Sequence, residues 1–184
     1  MKKIIFGLMV LCSTIFAGQV NIAVAANVSY AIDELVKEFN KTNPDTKVQV
    51  TLGSSGKFTA QIEIGAPFDV FMSADMKFPK SLFEKGFALN EPALYAQGSL
   101  AMLSSKELDF SKGINLVTDA NISKIAVANP KTAPYGTAAV EAMKNANVLD
   151  KVESKFVYAE SISHAVTYAT TAADVGFIAN SSLY

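Results

Sequence analysis

The chain of 184 residues contains no arginine, one histidine and one cysteine, Cys12. Lysines alone oppose the carboxylates, 16 against 17, for a formal charge of −1. They are scattered, so the strongly basic footprint of a nucleic-acid-binding surface is missing. Long apolar runs are also scarce. Ile4–Phe16 is the longest, and it is too short to span a bilayer comfortably. It follows Lys2 and Lys3 and precedes the small pair Ala17-Gly18, so residues 1–17 read as a secretory signal peptide. A cut inside Ala23-Val24-Ala25-Ala26 would destroy the alternation of Val20, Ile22 and Val24 expected of a strand. Leu11 stands before Cys12, where a lipoprotein would have a small residue. The expected product is therefore exported to the periplasm, soluble and free of disulfides, with a fold that rests on packing alone.

Half of the residues are hydrophobic, enough for one substantial core or two small ones. Strand and helix signals alternate along the chain. Ile32, Leu35, Val36 and Phe39 carry the spacing of a helix with one buried face, ending near Asn43-Pro44. Strands are expected at 47–52, 68–72, 100–103, 125–128, 155–159 and 174–179. Between them, helices are expected at 57–64, after Asp75, at 137–146 and at 161–171. Such alternation predicts βαβ units and an α/β fold with a largely parallel sheet covered on both faces. In such folds ligands gather where the carboxyl ends of strands turn into helices. Tyr95–Ser99 marks a composition change that suits a crossing between two lobes.

Four corners repeat one design of apolar strand, small polar turn and helix start. They run into Asn27-Val28-Ser29, Gly53-Ser54-Ser55-Gly56, Pro134-Tyr135-Gly136-Thr137 and Glu160-Ser161-Ile162. Each leaves backbone N–H groups free at the positive end of a helix. In a nearly neutral chain, four such corners suit an anion held by neutral donors. Ser55 offers a hydroxyl and an amide, Asn27 a side-chain amide, and Tyr135 and Ile162 their backbone amides. Taken singly, each also fits a plain helix cap or turn. The 53–57 segment is not a phosphate-binding P-loop, since Phe58 follows Lys57 where Ser or Thr is needed. His164 and the pair Asp69 and Asp75 suit packing, a strand end and a helix cap.

In this order the corners resemble those of the periplasmic molybdate-binding proteins that feed ABC importers. The stretches that carry the resemblance are Ala25-Ala26-Asn27, Gly53–Gly56, Gln61–Asp75, Asn129-Pro130 with Ala133–Gly136, and Ala159–Ile162. The run from Gly65 to Asp75 is the most specific. The resemblance implies a two-lobed periplasmic binding protein fold of type II, with mixed, mostly parallel sheets. It places the first lobe at 18–96, the second at 97–180 and the start of a return crossing at 181–184. Because relatives continue for several dozen residues, the chain reads as truncated at its C-terminus, with an incomplete first lobe. The resemblance implies oxyanion binding by Asn27, Ser55, Tyr135 and Ile162, with Ala26 adding its amide. It implies no cofactor, no catalysis, a molybdate or tungstate ligand, an ABC permease as partner and a monomer. Two alternatives stay open: another tetrahedral oxyanion such as sulfate, or an exported hydrolase using Ser55 with His164 and a carboxylate.

Overall fold

Two separate sheets divide the computed structural model, which describes residues 18–183. The signal-peptide reading of 1–17, with Cys12, lies outside the described residues. The first sheet grows from β1 (Gly18–Ala25), whose end turns through a short 3-10 segment at Ala26–Val28. Helix α1 (Ile32–Thr42) leads to β2 (Thr46–Gly53), then α2 (Ser55–Glu63), β3 (Val70–Met72) and α3 (Lys77–Glu84). The strand order is β2-β1-β3 and every pairing is parallel. Each connection is therefore a crossover through a helix, as parallel neighbours require. Gly65 and Gly86 adopt φ of 91° and 77° just past α2 and α3, the left-handed stop that glycine takes without strain. Asp75 Oδ1 accepts the Phe78 amide at 3.2 Å and so satisfies one donor of the first turn of α3.

After a crossing through residues 85–99, the second sheet begins with β4 (Leu100–Leu103). A 3-10 segment at Phe110–Thr118 precedes β5 (Ile125–Ala128). Then come α4 (Pro134–Asn145), α5 (Leu149–Val152), β6 (Phe156–Ala159), α6 (Ile162–Thr171) and β7 (Val175–Ala179). The order is β4-β7-β5-β6, parallel except for β4, which runs antiparallel to β7. The α/β class and the mixed, mostly parallel sheets are those expected. The first strand ends at Ala25, and Asn27 lies in the 3-10 turn that follows.

The main core lies in the second half. Ile122, Ile125, Val127, Met143, Val152, Val175 and Phe177 pack as one cluster between β5, β7, α4 and α5. Asp174 anchors the same half. Its Oδ2 accepts the amides of Ser123 at 2.7 Å and Lys124 at 2.8 Å and the Ser123 hydroxyl at 2.9 Å, while Oδ1 pairs with Lys106. The Lys106 ammonium, aided by these donors, holds the carboxyl far below the usual carboxylate range. A second cluster joins the halves: Ala26 packs with Ala128, Tyr135, Ala159, Ile162, Ala165 and Ala179.

Helix α1 corrects one expectation. Ile32 is buried, but Leu35 and Phe39 on the same stripe are 50% and 42% exposed. Periodicity creates an apolar stripe without supplying an element to cover it. Among the described residues the later turns of α1 face solvent and, at Leu35, an open cavity.

Candidate oxyanion site

The four corners meet. A cavity of about 10 Å³ is lined by Ala25, Ala26 and Asn27 after β1, by Gly53, Ser54 and Ser55 after β2, by Ala133, Pro134 and Tyr135 after β5, and by Ile162 after β6; Ala74 completes the wall. All five residues singled out from the sequence, Ala26, Asn27, Ser55, Tyr135 and Ile162, face this one space. They come from both sheets, so the cavity exists only while the two halves are together.

Each corner is shaped by its sequence. Ser54 is extended, with φ −90° and ψ 146°, and opens α2 at Ser55. Ala133 is likewise extended and precedes Pro134, which takes the first helical position where its missing N–H costs nothing. Ser161 caps α6 by accepting the His164 amide at 3.4 Å. Ser55, Tyr135 and Ile162 thus stand at the cavity wall in the first turns of α2, α4 and α6, where a helix leaves amides without an intrahelical partner. The next amide of α2 reaches across: the Gly56 amide donates to the Thr132 carbonyl at 2.8 Å, a main-chain bond between the halves. A Cβ at Gly56 would lie 2.8 Å from the Thr132 Cα, so this approach needs glycine.

Ser55 is fully buried. Its Oγ accepts the Ala74 amide at 3.0 Å, which orients the hydroxyl and leaves its hydrogen for another acceptor. Ser54 Oγ is also buried and has no partner, although the sequence reading chose only its neighbour. The repeated serines were the available signal, but a strand-to-helix turn does not reveal which hydroxyl faces inward. Asn27 has an unpartnered, buried Oδ1. Its side-chain amide stands beside the Tyr135 hydroxyl. Burial raises the Tyr135 hydroxyl above its ordinary range, an effect the Asn27 amide partly offsets, so this O–H stays protonated at neutral pH. His164 is absent from the cavity lining.

No lysine lines the cavity. The nearest cation by sequence, Lys57, lies just outside and pairs with Glu160 at 2.5 Å across the two halves. Among the described residues no group of His, Cys, Asp and Glu side chains is placed to hold a metal ion. A larger cavity of about 460 Å³ adjoins the site and shares Asn27, Ala74 and Tyr135 with it. Its walls are mostly apolar, among them Leu35, Phe71, Pro92 and Leu94, and its one charged side chain is Asp75. That chemistry does not favour an anion, so the small cavity is the candidate site.

Comparison with known proteins places the chain in a family. The chain is 41% identical over 170 residues to the molybdate-binding protein ModA of Rhodobacter capsulatus, covering 91% of this chain and 66% of the relative. It is 36% identical to ModA of Azotobacter vinelandii, covering 91% of this chain and 67% of the relative. The chain thus spans about two thirds of the length of these curated relatives. The solved periplasmic molybdate-binding protein of Azotobacter vinelandii superposes with a TM-score of 0.80 at 34% identity, covering 87% of this chain and 71% of that one. Residues 20–184 match the family described as bacterial extracellular solute-binding protein, and the chain belongs to that family.

Proposed function

We propose that this chain captures molybdate or tungstate in the periplasm, without catalysis, and hands it to the membrane permease of an ABC importer. The observation that carries the reading is the convergence of four strand-to-helix corners on one small cavity. Relatives named as molybdate-binding proteins support the choice of ligand. The donors are the amides of Ala26, Tyr135 and Ile162, the side chain of Asn27, and the hydroxyl and amide of Ser55. These groups suit a fully deprotonated dianion, which only accepts hydrogen bonds. Charge-assisted hydrogen bonds contribute about 1.5–3 kcal/mol each. About five of them reach the roughly 8 kcal/mol of micromolar binding after ordering costs.

The ligand enters while the halves are apart and is enclosed as they close, a hinge motion known in binding proteins. The protein acts as a monomer, with the second half as the firmer partner in that motion. Selection between molybdate and sulfate rests on size, because both carry the same charge and the same acceptors. Calorimetry with molybdate, tungstate, sulfate and phosphate side by side tests the proposal. Binding of molybdate and tungstate with weaker binding of the other two is expected. A preference for sulfate or phosphate would overturn the ligand assignment, and turnover of ester or phosphoester substrates would overturn the binding-protein reading.

A further inference from the structure

Lys57 lies in the first turn of α2, two residues after Ser55. Glu160 directly precedes Ser161, the cap of α6, and lies two residues before Ile162. Their side chains meet at 2.5 Å and are 47% and 57% exposed. Neither lines the cavity, yet each flanks one of its donor corners, and the two belong to different sheets. The pair therefore sits at the rim of the site and can exist only when the halves are closed.

We propose that Lys57 and Glu160 form a charge latch that orders ligand capture and slows release. This inference rests on the anion-binding reading above. While the halves are apart, Lys57 adds a positive charge to the positive end of α2, and Glu160 sets a negative charge beside the α6 corner. A dianion is drawn to the first half and repelled by the second, so it lands first among Asn27, Ser54 and Ser55. Closure brings Glu160 onto Lys57, cancels both charges and carries the amides of Tyr135 and Ile162 to the ligand. Departure then requires the pair to separate. The Lys57 ammonium keeps the Glu160 carboxyl below its ordinary range, so the latch stays charged at neutral pH. His164, one turn along α6, is a further titratable group near Glu160.

Stopped-flow kinetics with molybdate, on the full chain at low and high salt, test the latch. Lys57→Gln is expected to slow association at low salt, and Glu160→Gln to speed it. Both are expected to raise the release rate, by roughly two- to fivefold for a half-exposed pair. This opposite effect on association with a shared effect on release would not follow from a merely structural contact. The exchanged pair, Lys57→Glu with Glu160→Lys, is expected to restore slow release while leaving association slow. Release rates unchanged in both single variants, or an exchanged pair that folds but still releases fast, would overturn the latch. In that outcome calorimetry of the unsubstituted chain still shows molybdate binding and the functional reading stands. Absence of molybdate and tungstate binding in the unsubstituted chain would overturn both.

Discussion

Strands β5 and β7 of the second sheet are buried at every residue, whereas β2 of the first sheet is nowhere fully buried and exposes Leu52. The helices differ in the same way. Helix α4 sinks Ala139 and Met143 into a continuous core, while α1 leaves Leu35 and Phe39 exposed. Yet each half supplies two corners to one cavity. Siting donors and building a core are therefore separable tasks. A corner needs one well-placed strand end and one helix start; a core needs elements stacked on both faces. The second half holds its corners by its own packing. The first half holds its pair partly by leaning on the second, through Ala26 and the Gly56–Thr132 bond.

Substitutions can break this asymmetry, and the largest effect is expected in the core. Met143→Ala should cost about 2–5 kcal/mol in chemical denaturation, because Met143 is fully buried. Leu35→Ala on α1 should change stability by about 0.5 kcal/mol or less. Comparable losses at the two sites would refute the contrast. Asp174→Asn comes next, at about 2–3 kcal/mol, since it weakens a charged network of several donors. The same residue fixes a pH dependence. Its folded carboxyl titrates below its unfolded value, so its contribution is complete above the ordinary carboxylate pKa of about 3.9. That contribution is lost as the pH falls further, and acid titration of the parent and the variant should converge there.

Smaller effects probe the junction. Ser55→Ala should weaken molybdate binding by about 1.5–3 kcal/mol, roughly ten- to a hundredfold, with a modest effect on melting. Gly56→Ala should reduce affinity while leaving hydrogen exchange of β5 and β7 slow, because it obstructs closure without entering the core. The smallest expected effect is none at all: affinity should stay level from about pH 6 to 8, since Tyr135 is raised and Glu160 lowered away from that window. A steep loss there would end the neutral-donor account.

The fold class was legible because the strongest signals were local. Ile125–Ala128 and Val175–Ala179 are short, unbroken apolar runs, and such runs become strands buried on both faces. The corners were legible because glycine, proline and serine punctuate them. The exposure of α1 was not, since an apolar stripe carries no record of what covers it. The antiparallel direction of β4 was hidden too, because a strand's side-chain pattern reads alike both ways. In the site, the sequence named residues that the fold gathers, the Ser55 hydroxyl among them, but not the free hydroxyl of Ser54 or the Ala74 amide that orients Ser55. The pairing of Lys57 with Glu160 and the anchoring of Asp174 by Ser123 and Lys106 join residues far apart in the chain. No local pattern selects such partners from 16 lysines and 17 carboxylates.

The contact of Gly56 with Thr132 has a mechanical meaning. Main chain against main chain is a hard stop, far stiffer than side chain against side chain. In the proposed binding reading it sets the smallest gap that the jaws can reach, like a calliper. An oversized guest props the jaws ajar before the stop is reached, and an undersized one rattles inside the fixed gauge. Under that reading, rigid spacing at one glycine turns a difference in ionic radius into a difference in grip.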